Sequence, residues 1–351
     1  MLKKIYDSQG SLTNINSFSL IFHKHDERDE KTYIDSITNF VNTTPIFIYG
    51  DTINLLDDVD NILSHQEQPL MIPNIRIIWE LYNKMEHQGI RVSLGGSGGD
   101  SIISFGHYYF RDLFISFKWK KLLKEIYYYS KTSNKKIFNI FLYNLVFVLI
   151  PLSIKKLVKK HQTIIPGPIV LNKKFSKQLN AEKCWENFSL DYFKANTAKK
   201  NHLHAIENAN IYMLEMRDRA SAVFSIEQRY PFLDKRLVEF CYSIPTEMKF
   251  KYGWNRYILR LAMEGILPEM NQWRTDKANL NSLYKENMLL EKNNLNKIFL
   301  SKNNLIEHYI NYDKITEIYR NFINGIQVSD SPYSIWLIYQ LYQWLKKEKL
   351  I

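Results

Sequence analysis

The sequence predicts an α/β segment built on parallel strands over its first hundred residues, followed by a largely helical remainder. Three observations carry that expectation. Apolar strand-like runs alternate with helix-period segments up to about residue 106, the pattern is helical almost throughout from Tyr108 onward, and a glycine-rich turn joins the third strand to the helix after it. Strands that alternate with helices pair in parallel through crossovers. The expected parts are 1–106 and 107–351.

Taken in order, 17–22 (SFSLIF) reads as a short strand. Within 29–42, Tyr33, Ile34, Ile37 and Phe40 recur at helical spacing. Residues 45–50 (PIFIYG) form a second apolar strand closed by Gly50, 75–89 a helix stopped by Gly89, and 90–96 (IRVSLGG) the third strand. Segments 131–136 and 161–168 read as loops, and no internal repeat is visible. Farther on, Asp234 is placed to cap a helix containing Leu237, Val238, Phe240 and Cys241. A helix through Ile258, Leu259 and Ala262 ends near Gly265, and Pro268 opens the next.

One stretch has two readings. Residues 137–154 are apolar and close to the minimum length of a membrane span. Asn139, Asn144, Pro151 and Ser153 interrupt them, and lysines flank both ends. A helix ended by Pro151 and largely buried against other helices is favoured, with membrane contact the alternative.

The net charge of +11 suits an anionic partner, although a Lys- and Asn-rich composition also arises without one. Cys184 and Cys241 are isolated and lack metal spacing, so neither a disulfide framework nor a zinc site is suggested. The opening MLKKIYDSQGS lacks the apolar core of a signal peptide, so a cytoplasmic protein in a reducing setting is expected.

The chemistry concentrates in three blocks. The first is the turn at Gly95, Gly96, Ser97, Gly98, Gly99, Asp100 and Ser101, which holds four of the chain's 12 glycines. Such a turn beyond the carboxyl end of a parallel strand exposes backbone N–H groups and makes a nest for phosphate oxygens. Asp100 either caps the following helix or holds a Mg²⁺ that bridges phosphates. The motif is neither G-x-G-x-x-G nor a Walker A sequence. The second block, 215–245, crowds Arg217, Asp218, Arg219, Glu227, Arg229 and Asp234 among apolar residues, where Glu227 and Arg229 also suit an ordinary surface pair. The third, 253–280, holds Arg256, Arg274, Asp276 and Lys277; Asp276 and Lys277 also read as a solvated pair.

Together the blocks resemble the synthetase domain of the asparagine synthetase family. The resemblance rests on Gly96-Ser97-Gly98-Gly99-Asp100-Ser101, on DRASAVFSIEQRYPFLD (218–234), on Arg256 with ILR, and on WRTDK (273–277), in the family's order and spacing from about residue 17 to residue 280. The GDS form and the RTDKANL run look most like the branch that closes lasso peptides by isopeptide bonds. The resemblance implies a parallel-sheet, adenine-nucleotide alpha-hydrolase-like (HUP) core. It also implies ATP and Mg²⁺, adenylation of a carboxylate, and attack by an amine. Lys277 and Asp100 would be the catalytic residues, Asp100 holding Mg²⁺. Gly95, Gly96, Ser97, Gly98, Gly99, Ser101, Arg256 and Arg274 would hold ATP and pyrophosphate, supported by Arg219, Glu227, Arg229, Asp234 and Asp276. Asp100 and Lys277 should then share one cleft. A precursor peptide and peptide-maturation proteins would be partners, and nucleic acid would not.

The sequence departs from the family's pattern. Ser97 and Ser101 stand where acidic residues are expected, and the first pyrophosphate loop, S-G-G-x-D-S, is expected before residue 17 and does not occur there. SGGDS (97–101) read as a shortened version of that loop is the lesser alternative. An N-terminally truncated member, weak in ATP–pyrophosphate exchange or non-catalytic, is therefore an expectation beside the active ligase, as is asparagine synthesis itself.

Overall fold

The computed structural model describes residues 15–23, 28–103, 108–142, 170–194, 196–208, 211–276, 278, 280–301, 304–326 and 331–348. Lys277 and 143–154 lie outside these residues.

The strand–helix alternation of the first hundred residues is present. Strand β1 (Asn16–Ile21), helix α1 (Lys31–Val41) and strand β2 (Thr44–Tyr49) form one crossover unit, with β1 and β2 parallel in the register Phe18 to Ile46 and Leu20 to Ile48. Helix α2 (Val59–Gln66) and helix α3 (Ile75–His87) follow, and the chain turns out of α3 through Gly89 at φ +69°. Strand β3 (Val92–Leu94) is shorter than the expected 90–96. It pairs in parallel with β4 (Glu227–Arg229), so the described strands form two separate parallel pairs and one antiparallel pair, Phe250–Lys251 with Trp254–Asn255.

Helices dominate from residue 109 onward. Those that position the site are α4 (Tyr109–Ile115), α5 (Trp119–Ser133), α6 (Ala198–Asn208), α7 (Ile211–Val223), α8 (Lys235–Ser243) and α9 (Tyr257–Ala262). After them come α10 (Asn281–Leu290), α11 (Lys292–Phe299), α12 (Tyr312–Ile323) and α13 (Ser331–Glu348). Pro268 caps a short helix, Glu269–Gln272, as its position in the sequence predicts.

Three apolar clusters fix this arrangement. Leu63 of α2, Trp79 and Tyr82 of α3, and Met216 and Ala220 of α7 bury one another, which carries α7 to the start of β4 and sets β4 beside β3. Ile102, Ile103 and Cys241 form a small floor beneath the glycine turn. Met288, Leu295, Phe299, Tyr319 and Trp336 join α10 to α13 in the largest cluster. Trp336 also donates its indole N–H to the carbonyl of Leu70 at 3.0 Å, tying that bundle to the segment before α3.

Residues 137–142 are helical, as expected, but they are not largely buried. The helical period turns Ile140 and Phe141 onto the Phe110–Phe250 cluster and leaves Ile137, Phe138 and Leu142 exposed. No described helix is long and apolar enough to cross a membrane.

Candidate functional site

The glycine turn leaves β3 and is clamped at once to β4, the N–H of Gly95 donating to the carbonyl of Arg229 at 2.8 Å. It then closes on itself, Gly99 N–H donating to the Gly96 carbonyl at 3.2 Å and Ile102 N–H to the Gly98 carbonyl at 2.8 Å. Gly98 has φ +93°, which L side chains rarely adopt, and a Cβ there would lie 2.5 Å from Leu233 Cδ2. A Cβ on Gly95 would lie 2.8 Å from the Tyr230 ring. Gly96 differs: a Cβ there would meet nothing within 4 Å, so open space adjoins the turn. Among the described residues no backbone carbonyl takes the N–H groups of Gly96, Ser97 or Gly98. Free donors beside open space are what a nest for anionic oxygens requires.

The other two blocks converge on this turn. Arg217, on α7, donates to Ser97 Oγ. Phe232 and Leu233 pack beneath Gly98 and Gly99. From the third block, Arg256 sits at φ +55° immediately before α9 and its guanidinium forms an ion pair with Asp100. Asp234 caps α8 as expected, accepting from Arg236 N–H at 2.9 Å. The Arg236 guanidinium, followed by that backbone N–H, holds its carboxyl down to about 2.

Other predicted residues lie elsewhere. Glu227 and Arg229 pair with each other at 2.8 Å on an exposed strand face. Arg219 donates to the carbonyl of Gln66 at 2.6 Å, at the end of α2. Arg274 pairs with Glu30 at 2.7 Å and lies 4.0 Å over the Tyr33 ring, while the Tyr33 hydroxyl donates to Asp276 at 2.8 Å. The 273–276 segment thus docks on α1 and the residue before it.

Several of these partners were not legible as such. In the sequence Arg217 is one cation among many, and Tyr33 is one apolar position of a helix. Arg260, the last residue of the ILR run, has no role assigned by the sequence; it stacks over Trp254 (4.9 Å) and Trp273 (5.9 Å) and donates to the carbonyls of Gln272 at 2.5 Å and Arg274 at 2.9 Å.

Near the floor of the turn, Lys249 donates to His202 Nδ1 at 3.1 Å, with both residues at most 3% exposed. Burial, then the neighbouring Lys249 charge, pushes His202 down to about 4; the Ile102 backbone works the other way. Burial pushes Lys249 down to about 8. This pair links α6 to the residue that precedes the Phe250–Lys251 strand.

The metal expectation has limited support in the donor set. Among the described residues no group of three His, Cys, Asp or Glu side chains could hold an ion. A Mg²⁺ that arrives on phosphate oxygens keeps its waters and needs only one or two carboxylates. Asp100, more than half exposed, is a carboxylate of that kind, and here it pairs with Arg256.

The asparagine synthase family model matches residues 3–346. Asparagine synthetase [glutamine-hydrolyzing] 3 of Bacillus subtilis (strain 168) is 49% identical over 57 residues, 16% of this chain and 9% of that protein. Asparagine synthetase [glutamine-hydrolyzing] 1 of the same organism is 30% identical over 105 residues, 28% of this chain and 16% of that protein. Asparagine synthetase [glutamine-hydrolyzing] of Gallus gallus is 38% identical over 64 residues, 17% of this chain and 11% of that protein. The matched stretches therefore span less than two thirds of each relative.

Proposed function

Since this chain belongs to the asparagine synthase family, we propose that it forms an amide bond at the expense of ATP, in the manner of a lasso-peptide cyclase. A substrate carboxylate oxygen attacks the α-phosphorus, the bond to the β-phosphate breaks, and pyrophosphate leaves. An amine nitrogen then attacks the acyl carbon, loses its proton, and AMP leaves. The observation that supports this reading is the convergence of the second and third sequence blocks on the glycine turn through Arg217 and Arg256.

In this reading the N–H groups of Gly96, Ser97 and Gly98 and the hydroxyls of Ser97 and Ser101 receive phosphate oxygens. Mg²⁺, held by Asp100 and by the phosphates, would neutralise their charge. Arg256, released from Asp100, and Arg274, released from Glu30, supply further cations, and Lys277 the one nearest the reacting phosphorus, where negative charge builds. Arg219, Glu227, Arg229, Asp234 and Asp276 support the site from outside it. The two parallel strand pairs belong to one HUP-like core within 1–106, extended by β4, and 107–351 carries the peptide-binding surface. A precursor peptide that supplies both carboxylate and amine, brought by peptide-maturation proteins in the cytoplasm, is the proposed substrate.

The pairing of Asp100 with Arg256 favours a second reading, a non-catalytic peptide-binding member, because it occupies the only carboxylate of the turn. Incubation with ATP, Mg²⁺ and either a peptide bearing Asp or Glu side chains or free aspartate with an amine donor separates the readings. AMP and pyrophosphate in equal amounts, lost in Lys277→Ala and Asp100→Ala, support ligation. Loss of one water from the peptide indicates cyclisation, and asparagine as product indicates asparagine synthesis. No AMP with any substrate, beside retained peptide binding, supports the second reading.

A further inference from the structure

Residues 115–142 form a surface that the proposed chemistry does not use. Helix α5 is apolar on two faces. Leu122 and Ile126 are buried against Phe110 and Phe250, as any surface helix requires. Trp119, Leu123 and Tyr127, four residues apart, form a second stripe that is 41–56% exposed. Phe117 precedes the stripe at 78% exposed, and Phe138 follows it at 70%.

The charge of this segment is one-sided. Lys118, Lys120, Lys124, Lys131, Lys135 and Lys136 are all exposed. The segment's single acidic residue, Glu125, is buried, and one of its oxygens accepts the N–H of Gly253 at 3.3 Å. Lys121 pairs with Glu247 and does not count toward the free charge.

A solvated helix face carries charges of both signs and few large apolar groups. A docking site for another protein would need a partner whose acidic groups meet these lysines around its apolar contact. Aromatic rings beside lysines, with no exposed acid in the segment and Glu247 beside it neutralised by Lys121, match the boundary of an anionic bilayer: rings enter the headgroup layer and ammonium groups meet lipid phosphates. We infer that residues 115–142 dock this protein on the surface of an anionic lipid bilayer, lying on it and not crossing it. The inference is independent of the ligase reading.

Sedimentation of the full chain with vesicles tests it. Vesicles containing phosphatidylglycerol should bind the protein, and vesicles of phosphatidylcholine alone should not. Raising salt should weaken binding. K120Q/K124Q/K131Q/K136Q should lower the partition coefficient about tenfold or more. F117S/L123S/F138S should lower it comparably at unchanged charge. Circular dichroism of each variant confirms that it folds.

Absence of binding to either vesicle overturns the inference. Binding that both variants retain assigns the membrane contact to another part of the chain and overturns it equally. Loss only in the lysine variant reduces the surface to a patch for any polyanion. Concentration-dependent dimers that dissolve in F117S/L123S/F138S, without vesicle binding, would make a second copy of the chain the occupant.

Discussion

The C-terminal bundle and the glycine turn are held together by different forces. In the bundle, Leu295, Phe299, Ile315, Tyr319 and Ile335 are wholly buried, and Tyr319 stacks on Phe299 at 4.9 Å. The turn rests on a thin apolar floor and is crossed by charged contacts from distant segments, Arg256 to Asp100 and Arg217 to Ser97. Close packing tolerates little rearrangement. Exposed ion pairs contribute little to stability and exchange partners readily. The difference places rigidity in α10–α13 and leaves the turn's charged contacts exchangeable.

Breaking the bundle should cost most. Trp336→Ala removes a side chain that is 1% exposed and leaves the Leu70 carbonyl without its indole donor. A loss of about 3–5 kcal/mol is expected, read from urea unfolding midpoints. A loss under about 1 kcal/mol would remove the contrast between the two regions.

The turn is rigid only where its backbone is unusual. Gly98→Ala combines a disfavoured φ with contact against Leu233, and should destabilise by about 1–3 kcal/mol. Gly98→Ala/Leu233→Ala should recover the part due to the contact and keep the part due to φ. Full recovery in thermal denaturation would assign everything to packing.

Beneath the turn, the Lys249–His202 pair makes stability depend on pH in two windows. His202 is held near 4 when folded and titrates near 6.5 when unfolded. The unfolded chain therefore binds more protons between these values, and stability falls as pH drops from about 6.5 to about 4. Lys249 is held near 8 against an ordinary 10.5, so stability rises as pH goes from about 8 to about 10.5. Each effect is on the order of 3 kcal/mol, and the two are coupled. His202→Gln should flatten the lower window and Lys249→Met the upper one, relative to the native chain. Slopes unchanged in both variants would assign the windows to other groups.

These features sort by how local their causes are. Strands β1 and β2, α1 and α3 were legible because apolar periodicity and the stop at Gly89 are written within each segment. The glycine turn was legible because clustered glycine is rare. The partner of β3 was not: β4 is Glu-Gln-Arg, polar and three residues long, and it forms a strand because the packing of α7 delivers it there. The Lys249–His202 pair was hidden for the same reason, since a buried lysine has the same one-letter signature as a solvated one. The exposed side of 137–142 was not legible, because apolar composition predicts burial without saying which face finds a partner.

The smallest effect on stability should come from the contact that matters most to the proposed chemistry. Arg256 and Asp100 are 38% and 60% exposed, so water and salt screen their attraction. Arg256→Ala should change the unfolding free energy by less than about 1 kcal/mol. If Arg256 transfers to phosphate oxygens when ATP binds, the same substitution should weaken ATP binding about tenfold, a loss of one charge-assisted contact. Asp100→Asn separates the two roles: it also removes the ion pair, but frees Arg256 for the nucleotide. Calorimetric titration with ATP in the absence of Mg²⁺ should therefore show tighter binding in Asp100→Asn than in the native chain, and weaker binding in Arg256→Ala. Equal weakening in both would mean that the pair positions the turn as a unit. The contrast between a packed bundle and an exchangeable turn would then fail at the residue chosen to represent it.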